Sequence, residues 1–363
     1  MTNLSRRTAI RTGLAATALA ATGGLARPAL AQTRTVKFTL PWLAQGTSAF
    51  PFVGKEKGFF TSRGIDLQVS RGFGSVAAAQ AIGSGQFDYG LVFAAPMILM
   101  IAKGLPLRSL ATVDYDATMG VGVLDESPIK GPADLAGKKV GTVPTSAESP
   151  FFPAYAERAK LDVKSVELVS VDAKVIERTL TEKQVDAITG IATSSLPVLL
   201  SRNIPVRWML YSKLGMPTYG NNIVSTQAAV DKDAGLAAAV VDGLMESLAY
   251  TIKNPDDASA LFFKQVPEAA LASGGKEFVR IGLGLHRYAI AKPDAMQNGL
   301  GWGDPKAYEG LAELVSRFTA EGGAKVPPVE AWHSNKLAGK VKLSADEWKA
   351  VQAQTTEFDR FLA

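Results

Sequence analysis

A glycine-rich turn stands immediately before a predicted helix in the first part of the chain. Gly74 and Ser75 follow a predicted strand, and a helix beginning at Ser75 would present free backbone N–H groups and a partial positive charge. That arrangement suits an anionic or strongly accepting group of a ligand, although a simple N-cap role for Ser75 explains the same residue. The turn also matches the dinucleotide fingerprint G-x-G-x-x-A, but no acidic residue follows at the spacing that a ribose requires.

A second turn with hydroxyl side chains follows a later predicted strand. It contains Thr145, Ser146 and Ser149, which we expect to face Ser75 across a ligand cleft. Glu148 belongs to the same turn and would repel an anion. It therefore either has a capping role or accepts a hydrogen bond from an amine or ring N–H of the ligand.

Four aromatic residues stand at or just after predicted strand ends, namely Trp42, Phe93, Tyr115 and Tyr219. At that edge of an α/β sheet, side chains border the cleft, and aromatic faces there favour a planar or apolar ligand body. Core packing is the alternative for each of them. Trp42 and Tyr219 are the best cleft candidates because polar, turn-like residues surround both.

Signatures of catalysis and of metal binding are scarce. The two histidines, His286 and His333, fall in the predicted helical tail without a carboxylate at metal-ligand spacing, and the chain has no cysteine. Neither a nucleophile elbow nor a phosphate-binding P-loop occurs. We therefore expect no catalytic residue, no metal and no cofactor.

A sequence pattern occurs twice, about one hundred residues apart. Gln86-Phe87-Asp88-Tyr89-Gly90 precedes Leu105-Pro106, and Gln184-Val185-Asp186-Ala187 precedes Ile204-Pro205 in the same order. Similar strand, loop and helix patterns lie upstream of each copy. The period is too long for a solenoid repeat, so it predicts two related α/β lobes with a ligand between their strand ends.

The first residues resemble an export signal. Ser5-Arg6-Arg7 opens a twin-arginine-like segment, a weakly apolar stretch follows, and Ala29-Leu30-Ala31 supplies small residues for cleavage after residue 31. Removing four arginines with this segment lowers the formal charge from +5 to +1. A near-neutral mature protein lacks the basic footprint of a nucleic-acid binder, and no such partner is expected.

Strand and helix patterns alternate up to about residue 224, and mostly helical patterns follow. We predict a signal peptide over 1–31, a first lobe from 32–119 with 222–363, and a second lobe over 120–221. Both lobes should contain mainly parallel sheets, and two chain crossings should form a hinge. The glycines near the crossings suit a hinge, although ordinary strand-end glycines would look the same; they are Gly120, Gly122 and Gly220.

An ordered set of motifs gives the chain a family resemblance. It includes Trp42, the Gly74-Ser75 turn, Gln86-Phe87-Asp88-Tyr89-Gly90, Asp134-Leu135-Ala136-Gly137-Lys138-Lys139-Val140-Gly141 and Asn221-Asn222-Ile223-Val224. The chain resembles the periplasmic substrate-binding proteins of ABC importers for nitrate, sulfonate and taurine, including the branch similar to pyrimidine-precursor binders. The resemblance runs from about residue 36 to the end of the chain.

This resemblance implies a periplasmic binding protein fold, a monomer that captures a small solute without reaction, and a membrane permease with its ATPase as partners. It also implies binding residues from both lobes, namely Trp42, Gln45, Ser48, Gly74, Ser75, Phe93, Ala94, Thr145, Ser146, Glu148, Ser149, Gly190 and Thr193. Pyrimidine-binding relatives carry a histidine near the position of Ser48. A sulfonate-, taurine- or nitrate-like solute is the main expectation.

Three alternatives stay open at this point. One is a binder of a pyrimidine or another aromatic heterocycle precursor for uptake. The second is a sensory module with the same cleft and a receptor as partner. The third is a pyrimidine-synthesising enzyme of the same fold, which would consume an active-site histidine, and no histidine falls in the predicted cleft loops.

Overall fold

The computed structural model describes residues 33–319 and 325–362. The predicted signal peptide and its cleavage point lie outside these residues. The described chain folds into two mixed five-stranded sheets with helices around them, which confirms the predicted α/β class with a helical C-terminal region.

The first sheet has the strand order β2-β1-β3-β10-β4. Its strands are β1 (Arg34–Thr39), β2 (Ile65–Ser70), β3 (Tyr89–Phe93), β4 (Leu107–Thr112) and β10 (Asn221–Thr226). β1 and β3 pair in parallel, whereas β10 runs antiparallel to both β3 and β4.

The second sheet repeats this plan with the order β7-β6-β8-β5-β9. Its strands are β5 (Met119–Leu124), β6 (Lys139–Thr142), β7 (Glu167–Ser170), β8 (Ala187–Ile191) and β9 (Val206–Leu210). β6 pairs in parallel with β7 and β8, and β5 runs antiparallel to β8 and β9. The reversed strand in each sheet is the one that the chain enters directly from the other sheet.

The duplicated sequence pattern corresponds to duplicated hydrogen bonding. Asp88 Oδ2 accepts a 2.8 Å hydrogen bond from the Lys37 backbone N–H at the start of the β1–β3 pairing. Asp186 Oδ2 accepts a 2.8 Å bond from the Lys139 N–H at the start of the β6–β8 pairing. The two aspartates therefore fix the same parallel register in both sheets, which accounts for the repeated sequence pattern.

Helices connect the strands and form most of the chain after residue 226. They are α1 (Phe50–Glu56), α2 (Ser75–Gly83), α3 (Ala94–Ala102), α4 (Phe152–Arg158), α5 (Ile176–Thr181), α6 (Ala192–Leu200), α7 (Gln227–Lys232), α8 (Ala234–Lys253), α9 (Pro255–Gln265), α10 (Pro267–Leu271), α11 (Gly275–Ile290), α12 (Pro293–Asn298), α13 (Pro305–Phe318), α14 (Ala345–Ala353) and α15 (Thr356–Asp359). α8 is long and apolar enough to cross a membrane, but 61% of its apolar window is buried inside the protein, as in a core helix.

Two segments, residues 113–118 and 211–220, carry the chain between the sheets and are bonded to each other. Asp114 O accepts from the Gly220 N–H at 2.9 Å, and Asp114 Oδ2 accepts from Asn221 Nδ2 at 2.8 Å. Asp116 Oδ2 accepts from Ser212 Oγ at 2.8 Å. Asp114 and Asp116 of the first crossing therefore hold the second crossing and the start of β10 in register.

The glycines near these crossings have a packing role. A Cβ on Gly120 would lie 2.7 Å from the Trp208 indole, and one on Gly122 would lie 2.2 Å from it. At Gly220 a Cβ would lie 2.7 Å from the Asp114 Cβ. Close approach of neighbouring atoms thus accounts for glycine at all three positions.

Candidate functional site

A cavity of about 770 Å³ opens between connections of the first and the second sheet. Eleven of the fifteen predicted binding residues line it: Trp42, Gln45, Ser48, Gly74, Ser75, Phe93, Thr145, Ser146, Glu148, Gly190 and Thr193. They lie at the ends of β3 and β8 or in the loops and helix starts that follow β1, β2, β6 and β8.

The loop after β1 forms one wall and is stiffened by its own side chains. The Gln45 N–H donates to Ser48 Oγ at 3.1 Å, and the Ser48 N–H donates to Gln45 O at 2.9 Å. Gln45 Nε2 also donates to Thr47 Oγ1 at 2.9 Å. Trp42, at the head of this loop, stays 44% exposed and lines the cavity. A large aromatic surface is thus available to a solute on a preorganised loop.

The turn before α2 lies beside the same wall. Gly74 adopts φ +110°, a conformation that favours glycine, and its N–H donates to Pro41 O at 2.8 Å. Gly74, and not Ser75, occupies the N-cap position. Ser75 Oγ accepts a 3.2 Å hydrogen bond from the Phe93 N–H, so the hydroxyl ties the turn to the end of β3. The Ser75 hydroxyl hydrogen is still able to donate to a solute.

Glu148 lies in the opposing wall and is almost fully buried. It accepts hydrogen bonds from the hydroxyls of Ser146 and Thr189, the latter at 3.3 Å. Burial raises the pKa of the Glu148 carboxyl above its ordinary value, and these hydroxyl donors act in the opposite direction. Of the two roles that the sequence left open, the cavity location agrees with a ligand-facing carboxyl.

A second carboxyl, on Glu177 in the first turn of α5, also lines the cavity. Its Oε1 accepts from Ser195 Oγ at 2.8 Å, and burial raises its pKa above the ordinary value. Sequence reasoning missed Glu177 because an acid in the first turn of a helix is common without any ligand. Its only sequence signal was its position in the helix that follows β7.

Asn221 is another lining residue that was not among the predicted ones. It begins β10 at the crossing, is only 5% exposed, and donates from Nδ2 to Asp114 Oδ2. Asn221 Oδ1 has no hydrogen-bond partner among the described residues. The sequence pattern around Asn221 supported the family resemblance but gave no indication that the side chain borders the cavity.

Four predicted residues do not line the cavity in the described structure: Ala94, Tyr115, Ser149 and Tyr219. Tyr219 donates to the Asp294 carboxylate and accepts from the Asp304 N–H at 3.0 Å. The Tyr115 hydroxyl accepts from the Gly301 N–H at 3.0 Å, and its ring packs edge-to-face on Tyr219. Contrary to the prediction, both tyrosines are buried against the helical C-terminal region.

Ala94 and Ser149 are displaced from the cavity by local packing. Ala94 is fully buried at the start of α3, and its N–H donates to Gly220 O at 2.9 Å. Ser149 Oγ lies 2.7 Å from Thr142 Oγ1, so its hydroxyl belongs to a pair behind the Thr145 turn. Both residues support the wall without lining it.

The two histidines also lie outside the cavity lining. His286 Nε2 on α11 is 2.9 Å from Asp114 Oδ1. The two residues are far apart in sequence, so the spacing of residues along the chain did not predict this contact. His333 Nδ1 is 3.1 Å from Ser109 Oγ. Among the described residues, no group of three or more His, Asp or Glu side chains could hold a metal ion.

Comparison with known proteins relates the chain to binding proteins. A formylaminopyrimidine-binding protein of Halalkalibacterium halodurans is 25% identical over 65% of this chain and 72% of its own length. A 4-amino-5-hydroxymethyl-2-methylpyrimidine phosphate synthase of Saccharomyces cerevisiae is 30% identical, over 31% of this chain and 33% of the yeast protein. The similarity to the yeast protein is thus confined to about a third of each chain.

Solved structures confirm the fold. The alkanesulfonate-binding protein SsuA of Xanthomonas axonopodis pv. citri superimposes with a TM-score of 0.62 over 83% of this chain and 98% of that protein, at 13% identity. The family model described as NMT1/THI5 like matches residues 45–258, which is more than half of the sequence. The chain belongs to the NMT1/THI5-like family.

Proposed function

We propose that this protein is the solute-binding component of an ABC importer. It would capture a small solute between a first lobe, residues 32–119 with 222–363, and a second lobe, residues 120–221, and deliver it to a membrane permease driven by an ATPase. The observation that carries this proposal is the cavity of about 770 Å³, which is lined from the connections of both sheets. A site shared by two sheets that are joined by two crossings can close around a solute by rotation at those crossings.

The size of the cavity agrees with a small organic or inorganic solute. Sulfonates, taurine and nitrate are one class, in line with the alkanesulfonate-binding protein that shares the fold. A pyrimidine or other aromatic heterocycle is the second class, because Trp42 offers an exposed ring and the formylaminopyrimidine-binding protein is a relative. With a solute of either class the protein would have the same role, namely capture of the solute and its delivery to the permease.

We infer that the chain binds and releases its solute without a reaction. Neither histidine lines the cavity, and the related yeast synthase matches only about a third of the chain. The site of action would be the periplasm, reached through cleavage of the twin-arginine-like segment after residue 31. The mature protein would act as a monomer.

Capture from a mixture tests this function. The purified mature chain is incubated with a metabolite extract and desalted, and the bound fraction is released by denaturation and analysed by mass spectrometry. We expect one small solute at one-to-one stoichiometry, together with a smaller radius of gyration in X-ray scattering after it is added back. If no solute is retained and the scattering profile does not change, the binding-protein proposal is wrong. A solute that returns chemically altered would favour an enzyme.

A further inference from the structure

The charged residues that line the cavity favour some classes of solute over others. Glu148 and Glu177 both line it, whereas none of the lining residues that the structure describes is Lys, Arg or His. A buried anion needs a cation or several strong donors to replace its water, and two carboxyls nearby have the opposite effect. A sulfonate or nitrate in this cavity would have to compete with the carboxyls for the same hydroxyl donors.

Backbone donors at two of the helix starts beside the cavity are already engaged. At α3 the Phe93 N–H donates to Ser75 Oγ and the Ala94 N–H donates to Gly220 O. At α6 the Thr193 N–H donates to Thr118 Oγ1 at 3.2 Å, and the preceding Ala192 N–H donates to Thr118 O at 2.8 Å. An anion therefore cannot use these four amides, whereas the first-turn N–H groups of α2 have no partner within that helix and can donate to a solute.

Asn221 adds an acceptor to the wall. Its amide orientation is fixed, because Nδ2 and the backbone N–H both donate to Asp114 Oδ2, at 2.8 and 3.1 Å. An inverted amide would place Asn221 Oδ1 against that carboxylate, which is unfavourable. Asn221 Oδ1, which has no described partner, therefore remains an acceptor for an N–H group.

Resting on the proposed solute-binding function, we propose that the solute is an uncharged or cationic planar molecule with N–H donors. Those donors would meet the carboxyls of Glu148 and Glu177 and the amide oxygen of Asn221. Trp42 and Phe93 would cover its faces, and an acceptor such as a ring nitrogen or carbonyl would meet the start of α2. Amino-substituted nitrogen heterocycles and amidines have this chemistry, whereas sulfonates and nitrate have acceptors only.

Three probes with one ring and different polar groups test the proposal. Benzamidine is a cationic donor, benzamide is neutral with donor and acceptor, and benzenesulfonate is an anion without donors at neutral pH. Titration calorimetry, backed by ligand-observed NMR at millimolar probe concentrations, should give benzamidine and benzamide at least about tenfold tighter binding than benzenesulfonate, a difference of about 1.4 kcal/mol. Equal or tighter binding of benzenesulfonate overturns the proposal, and so does the failure of all three to bind.

Side-chain variants assign the effect to the two carboxyls. Glu148→Gln and Glu177→Gln keep the shape of the side chain but replace one carboxylate oxygen, an acceptor, with an amide NH2 group, a donor. Each should weaken benzamidine binding by about tenfold or more. Glu167→Gln is the matched control, since it removes the same charge from β7, outside the cavity lining. Wild-type affinity in both cavity variants contradicts the proposal. Should Glu148→Gln fail to fold, the less buried Glu177 still provides the test.

The proposed function and the solute class can fail separately. If the solute captured from the extract is an anion and its addition contracts the protein, solute binding stands and the proposed solute class is wrong. If no solute is captured and no contraction occurs, the binding function itself is wrong. A captured amine, amidine or amino heterocycle supports both.

Discussion

Gly46 in the loop after β1 and Gly282 in the middle of α11 touch backbone to backbone. A Cβ on Gly46 would lie 2.6 Å from Leu283 N and 2.6 Å from Val279 O, and a Cβ on Gly282 would lie 3.2 Å from Gly46 Cα. The loop that carries Trp42, Gln45 and Ser48 therefore packs against α11, and α11 also packs against α6 beside the second sheet.

Gly46→Ala should destabilise the protein by about 1–3 kcal/mol, because the new methyl group overlaps the α11 backbone, which has no room to move. Urea denaturation followed by fluorescence measures the change. Gly131→Ala is the control, since a Cβ there meets no atom within 4 Å and the residue has extended backbone with φ −152°. A stability loss of the same size in the control would mean that alanine itself, and not the contact with α11, is responsible.

Trp42→Ala should lower solute affinity about tenfold or more while changing the free energy of unfolding by less than about 0.5 kcal/mol. The reason is that the indole is 44% exposed and lines the cavity, so the fold depends little on it. Calorimetry with the captured solute measures the affinity. Leu168→Ala, with 45% exposure on β7 outside the cavity lining, is the matched control. Unchanged affinity in Trp42→Ala would place the binding site elsewhere.

Tyr219→Phe separates a structural role from a binding role. The hydroxyl joins the Asp294 carboxylate to the Asp304 N–H, so its loss should cost about 1–3 kcal/mol of stability. Because Tyr219 does not line the cavity, solute affinity should stay within about twofold of wild type, a difference below about 0.5 kcal/mol. Lower affinity at full stability would instead return Tyr219 to the binding surface.

His333 should make stability fall in mild acid. Burial lowers the pKa of its imidazole to about 4, whereas an unfolded histidine titrates near 6.5. Below pH 6.5 the unfolded chain therefore takes up a proton first, so stability is complete above that pH and is lost as the pH falls toward 4. The loss from this one group is about 3 kcal/mol.

Urea denaturation of the wild type and of His333→Asn at pH 7 and near pH 4 isolates this contribution. Asparagine can keep a hydrogen bond to Ser109 but does not titrate, so the wild type should lose about 3 kcal/mol more than the variant over this range. Equal losses in both proteins would assign the acid sensitivity to other groups.

Local patterns in the sequence were sufficient for the α/β architecture and for eleven of the residues that line the cavity. The repeat around Asp88 and Asp186 predicted two related α/β units because each copy stands directly before a strand of the same kind, β3 in the first sheet and β8 in the second. The turns at Ser75 and Thr145 were expected to border a cavity because each follows the carboxyl end of a strand, β2 in the first sheet and β6 in the second. Both predictions rest on local sequence patterns, which a single sequence contains.

Tertiary structure decided which side chains border the cavity and which carry its charge. Tyr219 and Trp42 both looked like strand-end aromatics, but the helical C-terminal region covers Tyr219 and leaves Trp42 exposed. Glu177 and Asn221 line the cavity, and their side chains are held by Ser195 and Asp114, which lie 18 and 107 residues away in sequence. The direction of a side chain depends on the register of its strand and on what packs against it, and neither is determined by the neighbouring residues in the sequence.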